Sequence, residues 1–208
     1  MTGRTHKRIS LGCAYLGCLL IYLFKPFGLA FENLLGYYIV MAVCVEFCKE
    51  GTLFPDLDHS WQNLKEKTAV TKFINIIIHI LGGKHRSRHT HSWDICLLAS
   101  ALGMFAIYHF LQESTYFMLY FTAGAGFFAG WITHLFADML TADGVYPVFF
   151  AKKKIAFVPK KFFGIVFKTG DKWEDFVFKF ATFLEWIFCI GACLGPITLW
   201  MLKTFAIV

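Results

Sequence analysis

Three short stretches of this 208-residue chain concentrate side chains that bind metal ions. The first is Phe54-Pro55-Asp56-Leu57-Asp58-His59. If it is extended, Asp56 and Asp58 project to one side, because strand side chains alternate with period two. Two neighbouring carboxylates repel unless a cation lies between them, and a divalent metal meets that need. The second, His85-Arg86-Ser87-Arg88-His89-Thr90-His91-Ser92-Trp93-Asp94, holds three histidines within seven residues. His85 and His89 share a face if it is helical, His89 and His91 if it is extended, and spacing leaves both open. Arg86 and Arg88 carry planar guanidinium forks that match phosphate oxygens. The third is Thr133-His134-Leu135-Phe136-Ala137-Asp138, followed by Thr141-Ala142-Asp143-Gly144. On a helix His134 and Asp138 are four apart and face one direction, so they can hold one ion, or Asp138 can bridge two. The mixture of nitrogen and oxygen donors suits Zn, Mn or Fe rather than Ca. His6 stands three residues before the first apolar run and is placed to join them. Each group also has a plainer reading: a capped turn, a basic interfacial loop, a histidine bonded to a carboxylate in a bundle core, a residue of a basic tail.

The elements that must position these groups follow from composition. The chain is 57% hydrophobic and 16% charged, with a mean hydropathy of +0.57. A soluble domain is about 45–50% apolar and about 25% charged. This excess excludes a disordered chain, and one small core cannot hide it from water, so the natural solvent is a bilayer. The runs Ile9–Phe31, Leu34–Cys48, Trp93–Leu111, Tyr116–Leu140 and Phe183–Ile207 are predicted to span it. Phe73–Leu81 is too short to cross and reads as a re-entrant or interfacial helix. Pro26 ends or kinks the first span. The expected fold is all-α, a polytopic transmembrane helical bundle forming a single integral membrane domain over residues 1–208.

All basic residues except Lys25 and Lys203 fall in segments that this alternation puts on one side. The positive-inside rule makes that side cytoplasmic, with the N-terminus and the metal motifs on it, in a multi-pass protein of the inner or plasma membrane. It also accounts for the net charge of +6 without nucleic acid. Residues 141–182 form the one long polar segment. Lys152, Lys153, Lys154, Lys160 and Lys161 alternate there with Phe149, Phe150, Phe157, Phe162 and Phe163. Ile155–Val158 and Phe163–Phe167 are expected to pair as a small cytoplasmic β-hairpin or flap on the inner leaflet. Its lysines either satisfy topology or hold anionic headgroups. Ionisable groups are costly in lipid, so histidines and aspartates gathered at one membrane face mark a functional site.

Other features carry less. The seven cysteines lie in or beside apolar runs and read as small hydrophobes, with no disulfide-linked partner. Gly124, Gly126 and Gly130 read as close helix packing, since no strand precedes them to make a nucleotide loop. His79 and His109 read as structural.

Taken in order, Thr5-His6, Pro55-Asp56-Leu57-Asp58-His59, His85-Arg86 through Thr90-His91-Ser92, His134 to Asp138, Thr141 to Gly144, and Lys168-Thr169-Gly170 with Trp173-Glu174 resemble the motifs of the YdjM-like family of membrane-bound metal-dependent hydrolases. The resemblance runs over residues 5–175, and the middle motif is one residue longer here, so that His85 or His89 takes the ligand role. The resemblance implies a metal-dependent hydrolase. The metal-ligand set expected is His6, Asp56, Asp58, His85, His89, His91, His134 and Asp138, around one or two divalent transition ions, Zn first and Mn or Fe next. Arg86 and Arg88 are expected to stabilise phosphate charge and Asp143 to act as general base. The expected substrate is a phosphoester such as a phospholipid or lipid-linked compound, and the expected partners are membrane lipids, anionic phospholipid among them. The alternatives are a metal transporter or sensor, and a non-catalytic membrane protein with a structural metal.

Overall fold

Small residues decide how closely the central helices meet. Helices α2 (Leu34–Leu53) and α5 (Phe117–Met139) form the most closely packed pair. A Cβ at Gly126 would lie 2.4 Å from the Cys44 carbonyl oxygen, and one at Gly130 would lie 2.2 Å from that of Cys48. Residues 126, 130 and 134 of α5 thus run in one four-residue register against 44, 48 and 52 of α2. The seam bears out the packing role expected of Gly126 and Gly130. Gly124 serves a different contact, with Ile107 and Met104.

The computed structural model describes residues 3–24, 33–58, 69–80, 86–157, 161–162, 165–166 and 170–204, and within these all side chains except those of 58, 69–74, 161–162 and 165–166. Helix α1 (Gly3–Phe24) packs on the α2–α5 pair, and α6 (Lys172–Thr204) packs along α1. Helix α4 (Trp93–Leu111) packs against α5. The short helix α3 (Ala69–Ile80) sits on a 3-10 turn, Pro55–Asp58, where Ile78 meets Leu57 and the Asn75 amide donates to the Leu57 carbonyl.

The boundaries differ from expectation where polar residues extend an apolar helix. Helix α1 starts at Gly3 rather than Ile9, so His6 is helical and not part of a tail. Helix α6 starts at Lys172 rather than Phe183. Glu174 and Asp175 suit its N-terminal dipole, and Asp175 pairs with Lys179 at 2.7 Å. Its 33 residues reach about 50 Å at about 1.5 Å each, more than a hydrocarbon core of about 30 Å. Pro196 interrupts it by removing the donor to the Ala192 carbonyl, and the Tyr37 hydroxyl donates there instead at 3.1 Å.

Among the described residues three helices, α1, α4 and α6, are long and apolar enough by themselves to cross a membrane, where the sequence predicts five spans. The difference is polarity. Helix α2 has 20 residues but carries Glu46, Lys49 and Glu50, and α5 has 23 but carries His134, Asp138 and its glycines. The hairpin also departs from expectation. Ile155 exchanges both backbone bonds with Val145, at 2.8 and 2.9 Å, and so folds back on the end of α5. Among the described residues only two-residue segments, β1 (Lys161–Phe162) and β2 (Ile165–Val166), pair antiparallel, so the flap foreseen over 155–158 and 163–167 is not supported, with 158, 163–164 and 167 outside the described residues.

Candidate metal centre

His134 is the hub of the cluster, and its tautomer follows from one contact. Its Nδ1 lies 2.8 Å from the Thr52 carbonyl oxygen, which only accepts. Nδ1 therefore carries the proton, and Nε2 presents a lone pair, the arrangement that orients a histidine toward a metal. The Gly126–Gly130 seam makes this contact possible, because it brings the α2 backbone against α5 one turn before His134. The Nε2 atom lies 3.6 Å from Asp138 Oδ2 and 3.8 Å from Asp56 Oδ1.

The other members arrive from separate elements. His6, on α1, stacks on the His134 ring at 3.9 Å, and its Nε2 lies 3.2 Å from Asp138 Oδ1. His91, from the loop before α4, sets its ring 5.4 Å from that of His134, with Nε2 3.6 Å from Asp138 Oδ2. Asp56 comes from the 3-10 turn. The side chains of His6, His91, His134 and Asp138 are each exposed by 1% or less, and that of Asp56 by 27%. Two overlapping groups result, His6–His134–Asp138 and Asp56–His91–His134, each with its donor atoms within 4.8 Å of one another.

These residues fit a transition metal. Separations of 3.6–3.8 Å are too long for hydrogen bonds. Two ligands each about 2.1 Å from a tetrahedral ion are about 3.4 Å apart, close to the spacing found. Buried His6 Nδ1 and His134 Nε2 have no hydrogen-bond partner.

Hydrogen bonds outside the cluster fix its members. Ser10 and Thr133 share a 2.5 Å hydroxyl contact one helical turn from His6. Thr5 donates to Glu174 at 2.9 Å, and Arg8 donates to both oxygens of Glu185 at 2.9 and 3.1 Å, so α6 clamps the start of α1. The loop carrying His91 is held by Trp131 Nε1 on the Thr90 carbonyl at 3.0 Å and by the Tyr146 amide on the His91 carbonyl at 2.9 Å.

At the edge of the cluster stands Arg86, with φ of 55°, in the left-handed region that non-glycine residues avoid. That backbone directs its guanidinium to Asp143 at 2.8 Å and toward Asp138 at 3.6 Å. Burial lowers its pKa, but Asp138 and Asp143 more than reverse this, so the cation is held firmly. Its Nε–H is buried without an acceptor.

The structure thus brings together His6, Asp56, His91, His134 and Asp138 of the expected ligands, with Arg86 and Asp143 beside them. It leaves out His89, whose ring packs edge-on to Phe149 at 5.2 Å. Arg88 lies over the Tyr146 ring at 5.3 Å, away from the cluster. His59, His85 and the side chain of Asp58 lie outside the described residues. The period-two argument pairing Asp56 with Asp58 does not apply, because Pro55 opens a 3-10 turn rather than a strand. Likewise residues 86–91 form turns, neither the helix nor the extended strand considered. Sequence reasoning missed the Thr52 carbonyl and the Thr5–Glu174 clamp. A backbone oxygen has no signature in residue type, and Glu174 is 169 residues from Thr5.

A family model described as YdjM inner membrane protein matches residues 1–206. The chain belongs to that family. Neither a curated protein nor a solved structure matches it. Membership of the YdjM family makes this an inner membrane protein, in keeping with its apolar helices.

Proposed function

We propose that this YdjM-family chain is a membrane-embedded, metal-dependent hydrolase that acts on a phosphoester, such as a phospholipid or lipid-linked substrate, at the cytoplasmic membrane surface. One observation carries the reading. Five metal-binding side chains from four separate elements converge on one buried cluster, with a partly buried arginine at its edge. In this reading α2 and α5 cross the membrane with α1, α4 and α6, His134 and Asp138 of α5 turn into the bundle, Glu46, Lys49 and Glu50 lie toward the cluster end of α2, and the positive-inside bias puts that end in the cytoplasm.

His6, Asp56, His91, His134 and Asp138 would hold one or two divalent transition ions, Zn being the first candidate. Such an ion, when bound, lowers the pKa of a water and polarises a phosphoryl oxygen. The chain supplies the rest. The Thr52 carbonyl keeps His134 in the binding tautomer. Arg86 offers its guanidinium to a phosphate oxygen, and its strained backbone fixes that direction before substrate arrives. Asp143 bonds Arg86 through Oδ2, so Oδ1 is available to accept a proton as general base.

The test is metal content per chain on protein purified in detergent, wild type beside His134→Ala and Asp56→Ala, followed by a panel of phosphate mono- and diesters. One or two ions lost in both variants, with turnover in wild type, is the expected result. No bound metal after loading with Zn or Mn would overturn the reading.

A second reading, a structural metal that staples four elements, is favoured by the near-complete burial of four of the five ligands. Arg86→Gln separates the two. It removes turnover and keeps the metal if the site is catalytic, whereas metal-loaded wild type inert across the panel supports the staple. The transporter reading has less support: His79, His109 and Glu46, the groups considered for a path, are exposed on the outside of the bundle.

A further inference from the structure

The loop that follows α5 presents a surface that neither the cluster nor the core explains. Phe150 is 85% exposed, Phe157 58% and Val148 47%, while Lys152 and Lys153 are exposed between them. Aromatic side chains so open to water are unfavourable on a loop that is itself fixed. This one is fixed on three sides. Val145 and Ile155 close its base with paired backbone bonds. The Phe149 amide donates to Asp94 at 2.9 Å, and the Phe157 amide donates to the Met139 carbonyl at 2.8 Å. The Trp93 amide donates to the Tyr146 carbonyl at 3.1 Å.

These anchors set its height. Trp93 is the first residue of α4, a helix long and apolar enough to cross the membrane, and Met139 is the last of α5. A loop tied to both ends lies at the level where hydrocarbon gives way to headgroups. Arg88 and Lys154 cover the Tyr146 ring at 5.3 and 5.1 Å and add to the positive charge there. Exposed aromatics interleaved with lysines at that level match an anionic leaflet, with rings entering between headgroups and ammonium groups meeting phosphates.

We propose that residues 146–157 form a membrane-surface wedge that binds anionic phospholipid, with Phe150 and Phe157 entering the headgroup layer and Lys152 and Lys153 facing lipid phosphates. The inference does not depend on the metal reading, since no residue of the wedge belongs to the cluster.

The test places an environment-sensitive fluorescent amino acid at position 150 of the full chain. The protein is reconstituted in nanodiscs of phosphatidylcholine alone or of phosphatidylcholine with phosphatidylglycerol. Emission should shift to the blue, and quenching by aqueous iodide should fall, in the anionic discs. A basic residue near such a surface adds a factor of about five in partitioning, from about 1 kcal/mol each. Lys152→Gln with Lys153→Gln should therefore weaken the protected state by about 25-fold and return quenching toward its value in phosphatidylcholine. An unchanged unfolding midpoint in detergent for that double variant verifies that the bundle is intact. Water-like emission in both lipids would overturn the proposal and leave the exposed rings to a protein partner. Equal protection in both lipids would overturn it too, since charge would then play no part.

Discussion

The two ends of the α1–α2–α5 core bury polar groups in opposite ways. At one end tyrosine hydroxyls meet backbone carbonyls of α6. Tyr37 donates to Ala192 at 3.1 Å, Tyr38 to Cys193 at 2.5 Å and Tyr22 to Pro196 at 3.5 Å. In these contacts among the described residues donors match acceptors and each partner is neutral, so they need no further ligand. At the other end three imidazoles face two carboxylates. His134 spends its one N–H on the Thr52 carbonyl, and its Nε2 lies 3.6–3.8 Å from two carboxylate oxygens, beyond hydrogen-bond reach. Lone pairs and negative charge converge there on one buried point, the balance that a cation supplies. Burial alone therefore does not mark a site in this bundle; the mismatch of donors and acceptors does.

The largest way to break this contrast is His134→Ala. Groups that merely orient a ligand are worth about 10–100-fold in metal affinity, so loss of the shared ligand should exceed 100-fold. Metal analysis after dialysis reads this directly. Chelation should act next. If the ion is present at 100 times its dissociation constant, it contributes about 2.7 kcal/mol. A chelator should then lower the unfolding midpoint of wild type in detergent and leave that of His134→Ala unmoved. Equal shifts in both would place the chelator's effect outside the cluster. Third comes Gly130→Ala, whose Cβ would meet the Cys48 carbonyl at 2.2 Å. Overpacking of this kind costs about 1–3 kcal/mol, and by parting α2 from α5 it should also pull Thr52 from His134 and weaken metal binding. The atoms nearest a Cβ at Gly124 belong to the side chains of Ile107 and Met104, so Gly124→Ala should change metal affinity little. If Gly130→Ala kept full metal affinity, the seam would not be what positions His134.

Much of this was legible beforehand because it rests on period and spacing. The i, i+4 pair His134–Asp138 needs only a helix, and α5 is helical over both. The glycine register needs only close packing. The contributions of Asp56 and His91 could be suspected from residue type, but not their geometry. A 3-10 turn and a run of turns carry no periodicity, and they are held by bonds to distant residues, Trp131 and Tyr146 among them. For the same reason Arg86 and Arg88 were indistinguishable in sequence. They are two residues apart, yet one reaches Asp143 and Asp138 while the other covers an aromatic ring. Helix ends failed where amphipathic turns extend apolar runs, as at Gly3 and Lys172, since a hydropathy reading stops where lipid stops and a helix need not.

The smallest effect tests whether the two ends are independent. Tyr37→Phe removes one buried hydroxyl from the Ala192 carbonyl, which Pro196 has already deprived of its helix donor. Hydrogen bonds between membrane helices average about 0.6 kcal/mol, and leaving the acceptor unmet adds to that, so a loss of about 1 kcal/mol is expected. Tyr37 lies on α2 four turns from Thr52, the residue that orients His134. If the tyrosine end is complete in itself, Tyr37→Phe lowers the unfolding midpoint in detergent and leaves metal content and affinity as in wild type. If metal affinity falls as well, α2 is transmitting a shift along its length, and the polar contacts to α6 are part of what sets the metal cluster.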